Sequence, residues 1–96
     1  MLAYTQGPWK YRQPPKESDD YTPIKYWIDG RDGVPVADVK DNDRPEANAR
    51  LIATAPELLY VAKRALDLLR EAELGTGETG LATKMAEVIA KAEGRE

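Results

Sequence analysis

The chain contains no cysteine, no histidine and no phenylalanine among its 96 residues. Without cysteine there is no disulfide, no thiolate nucleophile and no thiolate-bound metal. That absence fits a reducing compartment. Without histidine the commonest general base and the commonest metal ligand are gone. There is no run of basic residues, and the formal net charge is −3. A phosphate-gripping surface normally announces itself as a basic patch, so nucleic acid is disfavoured as a partner. No apolar stretch approaches the roughly 20 residues that cross a bilayer. The start, MLAYTQGPW, lacks a basic region followed by an apolar run, so it does not read as a signal peptide. These absences point to a soluble, cytosolic chain with no cofactor and no metal.

What remains for catalysis is meagre. Ser18 sits in a loop with no base beside it, and the carboxylate pairs Asp19/Asp20 and Asp41/Asp43 lie in stretches that read as solvated. An active site needs a nucleophile or an acid or base with a tuned pKa, and none is visible. The chain is therefore expected not to be an enzyme, with no catalytic residue assigned.

What is present centres on residues 43–74, DRPEANARLIATAPELLYVAKRALDLLREAEL. Leu51, Ala55, Leu58, Ala62, Ala65 and Leu69 recur at steps of three or four, the spacing of one helix face. Ile52, Leu59, Leu66 and Ala72 widen that stripe. Asp43 reads as an N-cap, with Glu46 placed to complete a capping box. Pro56 removes a backbone donor and clashes with the preceding turn, so a break or sharp kink is expected near Thr54–Ala55. The second piece is apolar around much of its girth. A helix of that kind is buried on several sides, which leads to the expectation of a homo-oligomer.

Before the helix, Trp9–Arg12 alternates aromatic and basic residues and reads as a short strand. Residues 13–23, QPPKESDDYTP, read as a loop. Ile24–Asp29 is the best strand, with Ile24, Tyr26 and Ile28 on one face and Lys25, Trp27 and Asp29 on the other. Trp27 then needs a second layer, a partner or a ligand to cover it. Asp29–Gly33 reads as a turn into a strand over Val34–Val39, a hairpin in which Pro35 belongs at an edge. The acidic run after it meets none of the spacing of a calcium loop.

After the helix, residues 75–80, GTGETG, read as a flexible connector. Leu81, Met85, Val88, Ile89 and Ala92 follow helical spacing. Thr79 is a candidate N-cap and Gly94 a candidate stop.

The expected fold is α+β: a short two- to three-stranded antiparallel sheet packed on a broken long helix, with a C-terminal amphipathic helix. The division reads as one domain over 1–96, with a lead-in and hairpin region (1–43), a broken central helix (44–74), a linker (75–80) and a last helix (81–93).

Two readings of the binding residues compete. Trp9 and Tyr11 serve as core aromatics or, with Trp27, as a stacking platform for a base or ring. Asn48 and Arg50 tie the helix to the hairpin, or they bind a carboxylate or phosphate.

Two stretches resemble a known group. Thr5-Gln6-Gly7-Pro8-Trp9 resembles a T-x-G-P-W element, and Ala47–Leu59 resembles A-N-A-R-L-I-A-x-A-P-E-L-L. Both, with a short I-D-x-x-G…V-A-x-V hairpin between them, are similar to small uncharacterised proteins of bacteriophages and prophages, over roughly residues 5–70. Many of those carry His before the Thr, where this chain has Tyr4. The resemblance implies a phage or prophage origin and action inside a bacterial host cell. It brings no catalytic residues. It implies a binding role against a host system, by sequestering a nucleotide-like defence signal or by masking a host protein, with a structural or assembly accessory of the phage as the alternative.

Overall fold

The computed structural model describes residues 4–15 and 24–95. Most of the expected loop, with Ser18, Asp19 and Asp20, lies outside the described residues. The elements in order are strands β1 (Lys10–Arg12), β2 (Ile24–Asp29) and β3 (Pro35–Lys40), then helices α1 (Pro45–Ala53), α2 (Ala55–Glu71) and α3 (Leu81–Ala92). This is the expected α+β architecture. The contacts group the chain into two compact units, Tyr4–Pro56 and the part that begins at Glu57.

In the first unit the sheet is antiparallel throughout, in the order β1-β2-β3. Tyr11 pairs with Ile28 and Arg12 with Trp27. Ile28 pairs in turn with Ala37, Trp27 with Asp38 and Tyr26 with Val39. Directly paired residues share a sheet face, so Tyr11, Ile28 and Ala37 form one row and Arg12, Trp27 and Asp38 form a row on the other side. The turn between β2 and β3 is a single 3-10 turn, Arg31–Gly33. Asp32 and Gly33 take its positive φ angles. Gly30 instead donates its N–H to the Val34 carbonyl at 2.7 Å. Pro35 opens β3, an edge strand, where its missing donor costs nothing.

The core of this unit is Ile28, Val39, Ala49 and Ala53, with Trp9, Tyr11, Tyr26 and Ile52 packed against it. Ile28 is 0% exposed, a burial worth about 1.5–3 kcal/mol. Ala49 and Ala53, four residues apart, give α1 a flat side on which the sheet lies close. Tyr11 and Tyr26 meet edge to face, with ring centroids 5.6 Å apart; such a pair adds about 0.5–1.5 kcal/mol.

Two features of the helices depart from the sequence reading. The first is the start of α1. Its N-cap is Arg44, with no side-chain cap. Asn42 organises the entry instead of Asp43: its Oδ1 accepts from the Arg44 N–H at 2.9 Å and from Asn48 Nδ2 at 3.2 Å. The second is the apolar stripe. The helix breaks at Thr54, whose N–H and Oγ1 both return to the Arg50 carbonyl, and α2 restarts at Ala55 with Pro56 in its first turn. A break resets helical phase. The stripe drawn across it from Leu51 to Leu69 is therefore not one face: Leu51 is exposed, and α1 buries Ala49 and Ala53 instead.

In the second unit, α2 and α3 form an antiparallel hairpin. Lys63 Nζ donates to Glu93 at 2.8 Å, while at the other end Gly75 lies against Leu81 and Ala82. The core is Leu66, Ala82 and Ile89, with Leu59, Ala62, Leu69, Met85 and Ala86 around it. The stretch read as a flexible connector is a tightly built corner. Thr83 donates its N–H to the Gly75 carbonyl at 3.2 Å and its Oγ1 to the Gly77 carbonyl at 2.7 Å. Gly80 sits directly on the Gly75 backbone, where a Cβ has no room. Gly80, not Thr79, is the N-cap of α3. Both helices end in the same way. Arg95 N–H reaches the Ala90 carbonyl and Gly94 N–H the Lys91 carbonyl; Leu74 reaches Leu69 and Glu73 reaches Arg70. These are paired six-to-one and five-to-two closures. Gly94 takes the left-handed position in one, as expected, and Glu73, at φ 56°, takes it in the other.

Candidate functional site on the outer face of the sheet

The five residues singled out from sequence do not converge. Trp9 and Tyr11 pack against the core under α1, and Trp9 Nε1 donates to the Thr5 carbonyl at 2.9 Å. A half-buried indole packed on the core with its donor satisfied is a structural residue. Asn48 is tied to Asn42 at the α1 entry. That entry borders a shallow hollow of about 410 Å³ with Asp43 and Arg44. Arg50 is exposed on α1, and its guanidinium makes no hydrogen bond or ion pair to another described residue. Trp27 alone of the three aromatics lies on the sheet face away from the core, as its alternation required.

The outer face has its own construction. Pairing sets Arg12 beside Trp27 and Trp27 beside Asp38. The Arg12 guanidinium lies over the Trp27 ring at 4.4 Å from its centroid. Its Nε donates to Asp29 Oδ2 at 2.6 Å. Asp29 is the diagonal neighbour on the same face, two residues from Trp27. A cation over an indole contributes about 0.5–1 kcal/mol at an exposed site, and a half-exposed ion pair a similar amount or less. The cover that Trp27 demanded therefore comes from the chain's own first strand. Beside this stack a groove of about 410 Å³ runs between Arg12, Trp27, Asp29, Pro35 and Asp38.

Sequence reasoning placed Arg12 with Trp9 and Tyr11 and passed over Asp29 and Asp38. The missing information was register. Alternation alone put Trp27 and Asp29 together; only the strand pairing brings Arg12 and Asp38 beside them. Chemically, the face offers an aromatic plate, a guanidinium already engaged by a carboxylate, and a second carboxylate. Among the described residues it brings together no nucleophile with an adjacent base.

The two stretches quoted for the phage resemblance meet within the first unit. Gly7 lies against Pro56, and a Cβ there would come within 2.9 Å of the Pro56 Cβ. Trp9 packs on the cluster that holds Ala49 and Ala53. In this chain those residues are packing partners, which accounts for a glycine and two alanines at these positions without any appeal to a ligand.

No helix among the described residues is long and apolar enough to cross a membrane, and no three acidic residues there gather as a metal cluster would require. No curated protein and no solved structure gives a significant match to the chain. A protein-family model described as Salmonella phage P22 protein Y8K6 matches residues 1–96, and the chain belongs to that family of phage proteins.

Proposed function

We propose that this phage protein is a non-catalytic binder that works in the cytoplasm of the bacterial host and counters or modulates a host system by masking a host protein. The observation that carries the reading is the Arg12–Trp27 stack on the outer face of the sheet, with the groove beside it. Trp and Arg are the residue types that dominate the energy of protein interfaces, where they sit in a patch with a polar rim. Asp29 and Asp38 supply such a rim, and their charge favours a partner that brings Lys or Arg. The absence of histidine and cysteine from the chain supports a role without chemistry.

The same geometry weighs against sequestration of a nucleotide-like signal. Phosphate recognition uses free guanidinium donors, but Arg12 Nε is already committed to Asp29. Two carboxylates beside it would repel a phosphate.

The test is affinity capture from host lysate with the wild-type chain and with Trp27→Ala, each first checked for native circular dichroism. Capture of a discrete host protein that falls at least tenfold with the variant supports the reading, in line with the loss of about 2 kcal/mol or more at an interface anchor. Identical capture by both chains removes the sheet face from the account. Heat of binding to a cyclic or ADP-ribose-type nucleotide would replace masking by sequestration. Abundant copies in purified virions would replace it by an assembly role.

A further inference from the structure

Trp27 stands between two neighbours of opposite kind. In the row on the outer face of the sheet, Arg12 of β1 flanks it on one side and Asp38 of β3 on the other. The β1 side is complete. A guanidinium lies over the ring at 4.4 Å from its centroid, and the Asp29 carboxylate takes its Nε–H at 2.6 Å. The β3 side repeats two of those three parts. It has the aromatic ring and a carboxylate, but no cation. Asp38 is exposed and makes no hydrogen bond or ion pair with another described residue. A planar ring has two faces, and Arg12 occupies one of them. Trp27 stays partly exposed and lines the groove together with Pro35 and Asp38.

The charges of the groove point the same way. Its charged lining residues are Arg12, Asp29 and Asp38; the strand lysines Lys10, Lys25 and Lys40 do not line it. Arg12 and Asp29 neutralise one another, which leaves the single negative charge of Asp38. Pro35 and Ala37 add apolar wall against which the methylenes of a long side chain can lie. Arginine meets all three demands at once. Its flat guanidinium stacks on an indole, its fork of donors fits a carboxylate, and it gives up hydration more readily than an ammonium. Lysine brings the charge without the plane. A phosphate or a carboxylate would meet Asp38 and be repelled.

We propose that the groove is an arginine subsite, in which a guanidinium of the masked protein lies on the second face of Trp27 and donates to the Asp38 carboxylate. The bound group repeats on the β3 side the contact that Arg12 and Asp29 make on the β1 side. Each cation then has its own carboxylate, so two guanidinium groups on opposite ring faces leave no net charge. Arg12 and Asp29 act as positioning residues, which hold the indole upright for the second cation. The site deepens the masking reading and rests on it for the source of the arginine, but not for the chemistry that recognises it.

Titration of the full chain with the peptide acetyl-Gly-Arg-Gly-amide, followed by NMR, tests the proposal. The expected result is a saturable shift of the Trp27 indole N–H, with a dissociation constant on the order of 10 mM, the strength of one cation–π stack with one exposed ion pair. Asp38→Asn should weaken binding by about fivefold, the most that an exposed ion pair contributes; Asp38 is exposed, so the fold tolerates the change. The same peptide with citrulline, which keeps the shape of arginine without its charge, should lose at least as much, and the lysine peptide should bind more weakly than the arginine one. No saturable shift up to roughly 100 mM peptide, a citrulline or lysine peptide that binds as well as arginine, or an Asp38→Asn chain that binds as well as wild type would each overturn the proposal. Lysate capture separates its fate from that of the masking reading. Capture that falls with Trp27→Ala but not with Asp38→Asn would keep the masking reading and overturn the arginine site. A saturable arginine site with capture unchanged by either variant would keep the chemistry of the site and remove the masked protein as its source.

Discussion

The sheet unit and the helical hairpin solve the same problem in opposite ways. Both must hide apolar surface with few residues. The sheet unit does so internally: one face is closed by Ala49 and Ala53 of α1 and by three aromatics, and the large ring on the other face is capped by Arg12. The hairpin buries one stripe of each helix and leaves Leu58, Val61, Leu68, Leu81 and Val88 largely in solvent. A three-stranded sheet with a short helix can close upon itself because pairing supplies a neighbour for every inward side chain. Two helices can only cover one another along one line, so a helix that is apolar over half its girth keeps a face in solvent.

Four substitutions sharpen that contrast, from the largest effect to the smallest. Ile28→Ala empties the centre of the sheet unit and should lower stability by about 3 kcal/mol in urea denaturation. A loss below ~1 kcal/mol would mean that the unit is less tightly closed than its burial indicates. Gly80→Ala forces a methyl into the Gly75 backbone at the hairpin corner and should cost about 1–3 kcal/mol. A neutral outcome in thermal melting would mean that the corner is loose. Glu73→Gly acts the other way. Glu73 holds a left-handed conformation that glycine adopts freely, and the change should stabilise the hairpin by up to about 1 kcal/mol.

The smallest effect is electrostatic. Glu93 accepts from Lys63 at 2.8 Å and from Arg95 at 2.7 Å. The Lys63 hydrogen bond leads in holding its carboxyl below the ordinary value, against an opposing push from burial. A carboxylate whose pKa is lower folded than unfolded adds stability above its unfolded value, about 4.3. That stability fades as pH falls through the lowered folded value. Glu93→Gln should therefore flatten the acid limb of the hairpin's stability profile below about pH 4.3 and change its slope little at neutral pH. An unchanged acid limb would show that the ion pair is not formed in solution.

Much of this was readable from the residues. Alternation in Ile24–Asp29 gave the faces of the central strand, Pro56 gave the break, and Gly94 gave the last stop. The apolar girth of α2 announced a surplus that α3 does not absorb. Other features were hidden for physical reasons. The stripe drawn through Leu51 and Leu58 ignored the change of phase at Thr54. Asn42 rather than Asp43 governs the entry to α1 because the chain reaches the helix by a turn that alignment of cap signals does not encode. Arg12 belongs with Trp27 because β1 pairs with β2 in one register, and no local pattern states a register. The corner at Gly75 and Gly80 looked like slack because glycine serves both flexibility and close approach, and only contact tells them apart.

Urea denaturation of the Leu68→Gln, Val88→Gln double variant beside Ile28→Ala tests the contrast most directly. The account predicts that the double variant stays within about 1 kcal/mol of wild type, because both side chains are more than half exposed, while Ile28→Ala loses about 3 kcal/mol. Losses of equal size in the two variants would contradict it.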